Sequence, residues 1–135
     1  MAIRDLLRNQ NTSQSLVPAV RVNGTATGST VDLRGYDGAA IAVCFGAYTD
    51  GTHTPSIQQS VDGVTFTPCV YGTDLDGPAN LSAVTSSAGA NTVQQIGYIG
   101  SQRYLQVVLT TSGATSGAAS AAFVTAGYPR TAPTM

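Results

Sequence analysis

The chain has no Lys, no Glu and no Trp, and it has only one His and two Cys among 135 residues. Lys, Glu, Gln, Ala and Leu normally fill the exposed faces of helices, whereas Thr, Ser, Gly, Val and Ala dominate here. Charged residues make up 10% of the chain, against roughly a quarter in ordinary domains. The length fits one domain. We therefore expect a single all-β domain with a hydroxyl-rich surface.

The scarcity of charge also restricts the partners. Six Arg and seven Asp give a net charge of −1, which is too little basic charge for a stripe that binds nucleic acid or an anionic membrane. An uncharged surface rich in Ser and Thr suits packing against other protein copies, because few charges must be desolvated on association. Composition alone does not separate this interpretation from the alternative, a surface whose neutrality affects only solubility.

Secretion, membrane and disulfide signals are weak. Residues 1–18 contain no apolar run typical of a signal peptide, and no segment approaches 18 apolar residues. We expect a protein made and folded in a cytoplasm. Two cysteines do not make a disulfide scaffold. Cys44 lies in an apolar run and is predicted to be a small buried residue; a Cys44–Cys69 bridge remains the alternative if their strands adjoin.

The chain divides into an arm, a domain and a tail. Ile3, Leu6 and Leu7 have the i, i+3, i+4 spacing of one or two helical turns, and a polar stretch follows them. The arm, 1–16, either frays or docks on a neighbouring subunit, and docking is favoured because it covers three apolar side chains. The domain spans 17–128 and the tail spans 129–135.

Turn signals recur every 8–12 residues and predict an antiparallel β-sandwich or barrel, jelly-roll-like in kind. Ile41, Val43 and Phe45 alternate with small residues, so the large side chains should face the core and the small face should be closely packed. Pro18 indicates an edge strand or a strand start. The predicted strands are 16–22, 30–36, 39–48, 56–61, 64–69, 93–100, 103–111 and 118–128.

Three further local predictions concern a hairpin turn, one face of a strand and the loops. Asp62-Gly63 should form a two-residue type I′ hairpin turn, with Ile57, Gln59 and Val61 on one face. Leu105, Val107 and Leu109 should share a buried face. The ranges 23–29, 49–55 and 112–117 should be turns or loops, and 72–92 a long loop or weak strand pair.

Catalytic and metal-binding patterns are missing from the sequence. His53 is predicted to lie in a polar loop, and no G-x-S-x-G segment accompanies it. The stretch Asp74–Gly77 lacks the third Asp and the Glu of a calcium loop, so it should be a turn. No phosphate-binding glycine motif occurs. We expect a protein without enzymatic activity, metal or cofactor.

The tyrosines allow two interpretations. Five lie near predicted turns or strand ends, where they could form a sugar platform or anchor a subunit interface: Tyr36, Tyr48, Tyr71, Tyr98 and Tyr128. Arg103 and Tyr104 should point to opposite faces of one strand, which favours an Arg stem covering the core edge over a base-stacking site.

The segment VDLRGYDG clusters three of the few charges: Asp32, Arg34 and Asp37. Glycines at 35 and 38 require a sharp turn before Ile41 enters the core, so a strand–turn–strand corner is favoured. Its charges should remain exposed or pair with one another, and Arg34 could instead contact a neighbouring subunit.

Several short motifs occur in an order that resembles small structural proteins of tailed bacteriophages. These are DLRGYD, the hydrophobic strand after it, SVDGVTF, YIGSQRY and GYPR, spread over residues 31–130. The resemblance implies a virion protein that decorates the capsid head, as a homotrimer on the major capsid protein at local threefold positions. The expected contacts are the arm (Ile3, Leu6, Leu7) and Arg34, Tyr36, Tyr48, Tyr71, Tyr128 and Arg130. The alternative is a glycan- or receptor-binding module on the neck, tail or fibre.

Overall fold

The computed structural model describes residues 9–129. Ten strands account for most of this range, and a short 3₁₀ turn, Ser87–Gly89, precedes the eighth. The strands are β1 Gln10–Arg21, β2 Gly24–Thr27, β3 Val31–Asp32, β4 Tyr36–Tyr48, β5 Thr52–Ser60, β6 Thr67–Pro68, β7 Leu75–Asp76, β8 Thr92–Tyr98, β9 Tyr104–Ser112 and β10 Ala118–Pro129.

Two antiparallel sheets pack face to face. The order in sheet A is β1-β10-β4-β8-β7, and the order in sheet B is β2-β9-β5-β6, with β3 also paired to β9. Every pairing between these strands is antiparallel. The prediction of an all-β sandwich is confirmed. Pro18 lies in β1 at the edge of sheet A, where its missing N–H costs no sheet hydrogen bond.

The core lies between the two central strands, β4 and β9. Ile41, Val43 and Phe45 are at most 3% exposed, and they face Leu105, Val107 and Leu109 of the opposite sheet, which are fully buried. Both predicted triplets are confirmed, because alternation along a strand places every second residue on one face.

The small face of β4 differs from the prediction. Ala40 is exposed, and Ala42 and Cys44 are half-buried, so this face is the outer surface of sheet A and not a closely packed layer. Cys44 was expected to be buried, but it is only half-buried. Cys44 and Cys69 are both free thiols, so the alternative of a bridge is wrong.

The hairpin after β5 is also wider than predicted. Gln59 pairs with Thr67, which leaves a loop of several residues where the sequence suggested two. Asp62 does not have the positive φ that a type I′ turn requires; its Oδ1 instead accepts the amides of Val64 and Thr65 at 2.9 and 3.0 Å. Val61 lies beyond the strand and is 73% exposed, so it does not share the buried face.

Three predicted non-strand segments belong to the sheets. Residues 10–16, assigned to the arm, are the first half of β1, and 24–27 form β2. His53 lies in β5 and is fully buried, not in a polar loop. Its Nδ1 is 3.1 Å from Thr111 Oγ1 and its Nε2 is 3.0 Å from the Asp50 carbonyl oxygen. These partners satisfy a ring that would otherwise be costly to bury. No helix within residues 9–129 is long and apolar enough to cross a membrane.

Asp50 joins the ends of β4 and β10. Its carboxylate accepts hydrogen bonds from the amides of Thr115, Ser116 and Gly117, the shortest being 2.7 Å from Gly117 N. These bonds lower the pKa of Asp50, the largest contribution coming from the Gly117 amide. A folded-state pKa below the unfolded value gives stability at neutral pH that is lost as the pH falls through the folded pKa.

We predict that Asp50→Asn lowers the melting temperature at pH 7 and that the difference from wild type shrinks as the pH falls below the ordinary Asp pKa of about 3.9 and through the lower folded pKa. Calorimetry from pH 2 to 7 measures this. Asp76→Asn, which alters an exposed residue of β7, is the control and should leave the profile unchanged. A difference that persists unchanged at pH 2 would show that the carboxylate charge is not the cause.

Candidate docking site

An ion pair between two residues that are far apart in the sequence holds the corner between β3 and β4. Arg103 Nε donates to Asp32 Oδ1, and Arg103 Nη2 donates to Asp32 Oδ2, each at 2.8 Å. Both side chains are 43% exposed, so the net stabilisation is modest despite the bidentate geometry. The Arg103 hydrogen bond lowers the pKa of Asp32, and Asp32 raises that of Arg103. The pair orients the corner more than it stabilises the fold.

Arg103 has a second role that the sequence did not indicate. Its guanidinium carbon lies 4.9 Å from the centre of the Tyr104 ring, within cation–π range. Arg103 precedes β9, which begins at Tyr104 and not at residue 103 as predicted, so the two residues do not share a strand and the expectation of opposite faces does not apply. The Arg103 guanidinium is thus held between a carboxylate and an aromatic ring.

Backbone hydrogen bonds close the turn at this corner, and the charge of Arg34 adds to that of Arg103 in lowering the pKa of Asp32. The Arg34 amide donates to Asp32 Oδ1 at 3.0 Å, and the Tyr36 amide donates to the Leu33 carbonyl at 3.0 Å. Gly35 between them has φ +89°, which a residue with a Cβ adopts with strain. The favoured strand–turn–strand corner is confirmed, and the Arg34 side chain is exposed at its tip.

A cleft of about 470 Å³ opens beside this corner. One wall is the β3–β4 turn and the other is the segment between β8 and β9. The buried Tyr98 closes the floor: its hydroxyl donates to Gln59 Oε1 at 2.7 Å and accepts from the Gln102 amide at 2.9 Å. Burial raises the pKa of Tyr98. Residues exposed around the cleft are Arg34, Asp37, Ser101 and Arg103.

The C-terminal end of β10 lies beside this cleft. Gly127 pairs with Gly38, and the Tyr128 ring lies against Gly38, where an added Cβ would be 3.0 Å from the ring. Tyr128 is 81% exposed and has φ +55°. Gln10 pairs with Gly127 from the other side. Residues 9 and 129, the limits of the described chain, therefore both lie at this end of the sandwich.

We define the docking end as Arg34, Tyr36, Tyr128 and the cleft between Leu33 and Arg103. Three of the predicted contact residues meet there. The predicted contacts Ile3, Leu6, Leu7 and Arg130 lie outside the described residues.

Two of the other predicted tyrosines, Tyr48 and Tyr71, do not line the cleft, and Tyr98 forms only its buried floor. The Tyr48 hydroxyl donates to the Gly51 and Thr85 carbonyls at the opposite end of β4. The Tyr71 hydroxyl donates to the Gly77 carbonyl at 2.7 Å, and Tyr98 is 4% exposed. The five tyrosines therefore form no common sugar platform within residues 9–129.

The groups considered for chemistry are also separated. His53 is fully buried between sheets, whereas Cys44 faces outward from sheet A. Burial, with Asp74 nearby, raises the pKa of Cys69 to about 12, which keeps it a thiol at neutral pH. No three His, Cys or Asp side chains within the described range are grouped so that they could hold a metal ion.

Comparison with known proteins gives only distant structural likeness. No protein-family model matches the chain, and no curated protein matches it. A chain from the disulfide-linked pili of Bacillus endospore appendages is similar at a TM-score of 0.45 and 13% identity, over 89% of both chains. A chain of infectious bursal disease virus, Gx strain, is similar at 0.38 and 16% identity, over 92% of this chain and 32% of that one. This chain thus spans about a third of the viral chain. The β-sandwich assignment rests on the chain's own sheet topology.

Sequence reasoning missed Arg103 and Gln102 as members of the docking end, and Asp32 as the partner that holds Arg103 there. Asp32 and Arg103 are 71 residues apart, and no local pattern connects them. The only available signal was the scarcity of charge, which makes each charged residue a candidate for a specific pair.

Proposed function

We propose that this chain is a virion structural protein that decorates a bacteriophage capsid head and binds across subunit joints through the docking end. The observation that carries the proposal is that Arg34 and Tyr36 line a preformed cleft while the exposed Tyr128 ring lies against Gly38 of its wall. Arg and Tyr are the residue types that contribute most to protein interfaces. The motif order over residues 31–130 adds the bacteriophage context.

Binding of this kind would stabilise the shell by linkage. A protein that binds the assembled lattice and not the separated subunits shifts the equilibrium toward the lattice. Contacts that are individually micromolar become long-lived when several engage together. We propose the major capsid protein and further copies of this chain as partners, a place on the outer surface of the virion, and no enzymatic activity.

The direct test is addition of the purified protein to particles that lack it, followed by cryo-electron microscopy of the difference density. Density on the head shell at subunit joints is expected. Density confined to the neck, tail or fibre would overturn capsid decoration and favour the glycan- or receptor-binding alternative, which a glycan array would then examine.

We predict that Arg34→Ser together with Tyr128→Ser weakens binding to such particles at least about tenfold, because Arg and Tyr are enriched among the interface residues whose truncation costs about 2 kcal/mol or more. Cosedimentation over a range of protein concentrations measures the change. Val22→Ser, which alters a half-exposed apolar residue just beyond the far end of β1, is the matched control. Equal binding by the double variant and the control would exclude the docking end.

A further inference from the structure

The charged residues of the described chain avoid the middle of both outer faces of the sandwich. They lie in turns and loops, at strand ends or on the two-residue strands β3 and β7: Arg21, Asp32, Arg34, Asp37, Asp50, Asp62, Asp74, Asp76 and Arg103. The middle of each outer face is therefore neutral. Neutrality alone does not distinguish the two faces, so their polarity must be compared.

The outer face of sheet A is largely apolar and built from small residues. Residues paired across antiparallel strands share a face, so the register gives its rows directly. One row runs from Gln14 through Phe123 and Ala42 to Gln95, so two exposed glutamines flank it; in the next row Ala121 pairs with Cys44, and Cys44 pairs with Val93. Thr125 pairs with Ala40 and Thr12, and the two threonine hydroxyls are 3.1 Å apart.

Two larger side chains stand among these small ones. Val93 is 57% exposed, and Phe123 is half-buried by its neighbours. Beside them, Ala40, Ala42 and Gly97 leave shallow depressions. A face of a few raised groups and adjacent depressions can interdigitate with a copy of itself, as the inner faces of sandwiches do.

The outer face of sheet B has a different character. It presents hydroxyl and amide groups that water solvates well, and its Val108 is only 7% exposed. Its other outward residues are polar along the middle of the face and include one aromatic ring at the end, Tyr104, which Arg103 covers: Thr25, Thr27, Asp32, Thr54, Ser56, Gln58, Ser60, Tyr104, Gln106 and Thr110. Only sheet A therefore gains appreciably from removal of its outer face from water.

We propose that the outer face of sheet A packs against the same face of a second copy of this chain, giving a two-fold pair. A neutral face meets itself without the like-charge repulsion that a charged face would suffer. A charged partner would lose solvation there without gaining a pair. An isologous contact of this kind is closed and stops at two copies.

The available area sets the strength of the pair. Four strands at about 4.8 Å spacing and about eight residues at 3.3 Å give a face on the order of 500 Å². Two copies would bury on the order of 1,000 Å², at the lower end of specific interfaces. We therefore expect a weak dimer at high protein concentration, one that strengthens when copies are held side by side.

The inference is independent of the docking end, which lies at one end of the sandwich. It also differs from the homotrimer that the resemblance implies, because two-fold packing of one face yields dimers. The mass of the associated species separates these outcomes.

The first test is sedimentation velocity from micromolar to millimolar protein with Ala40→Arg and Ser56→Arg. Both variants add one Arg at an exposed mid-strand position, on sheet A and sheet B respectively. Wild type and Ser56→Arg should form dimers, and Ala40→Arg should raise the dimer dissociation constant at least about tenfold. A monomer at all concentrations, a trimer, or equal association of the two variants would overturn the proposal.

The second test uses the thiol at the centre of the face. In Cys69→Ser, Cys44 is the single cysteine, and its alkylation by iodoacetamide should slow as protein concentration rises. The control is Ser56→Cys with Cys44→Ser and Cys69→Ser, where the rate per thiol should not change. A Cys44 rate independent of concentration would contradict face-to-face packing.

Capsid binding by Ala40→Arg separates the two proposals. Normal capsid binding with lost dimerisation supports both of them. Normal dimerisation with lost capsid binding would assign the face to the capsid and overturn the two-fold pair. Loss of capsid binding by the docking-end variants tests only the proposed function and leaves the dimer prediction unaffected. Circular dichroism confirms that each variant is folded.

Discussion

Gly117→Ala should destabilise the protein by about 3 kcal/mol, or about 10 °C in melting temperature. Gly117 has φ +76°, and a Cβ there would overlap the carbonyl oxygen of Arg21. A left-handed backbone costs a residue with a Cβ roughly 1 kcal/mol. The overlap adds to this cost, because the Arg21 carbonyl belongs to β1 where it pairs with β10 and cannot move without disturbing that pairing.

Gly113→Ala is the matched control for this prediction. Gly113 lies in the same β9–β10 connection and has φ +65°, but an added Cβ would have no atom within 4 Å. It should therefore lose only the roughly 1 kcal/mol of backbone strain. Urea unfolding of both variants separates the two contributions, and equal losses would show that the contact with Arg21 relaxes freely.

His53→Phe should cost about 3 kcal/mol of unfolding free energy. Phe preserves the aromatic volume and the edge-on contact with Tyr48, whose ring centre is 5.9 Å from that of His53. It removes the partner of the buried Thr111 hydroxyl and that of the partly buried Asp50 carbonyl. An unsatisfied buried polar group costs about 1–3 kcal/mol, and a partly solvated one costs less. The loss should appear as a lower urea midpoint with an unchanged m value.

A double-mutant cycle with Thr111→Val tests the cause. The double variant removes the unpaired hydroxyl, so its loss should be smaller than the sum of the two single losses by about 1 kcal/mol or more. Strict additivity would mean that the His53–Thr111 hydrogen bond does not account for the cost. A His53→Phe variant as stable as wild type would contradict the prediction outright.

The wrong prediction for His53, a polar loop in place of strand β5, shows where sequence reasoning fails. In β5 the residues His53, Pro55, Ile57 and Gln59 all face inward, so the period-two pattern was present. It was obscured because His and Gln are polar and Pro argues against a strand. Pro55 is tolerated because β5 pairs with β9 on one side, while β6 pairs only at Gln58 and Gln59.

The docking end was partly predictable. Arg34, Tyr36 and Tyr128 were chosen because Arg and Tyr near turns are typical interface residues, and the structure brings them together. Tyr48 and Tyr71 were chosen on the same grounds, yet their hydroxyls bind backbone carbonyls elsewhere. Residue type and proximity to a turn did not distinguish the two groups, since that distinction depends on which strand ends are neighbours.

Composition and strand periodicity by themselves determined the all-β class, the Ile41–Phe45 and Leu105–Leu109 core faces and the sharp turn at Gly35. Each follows from properties of a single segment: propensity, alternation or backbone freedom. Only the tertiary structure decided which polar groups meet. Asp32 with Arg103, His53 with Thr111 and Gln59 with Tyr98 are separated by 71, 58 and 39 residues. Such pairs depend on strand order and register, which are set by the packing of two sheets and not by any one stretch of sequence.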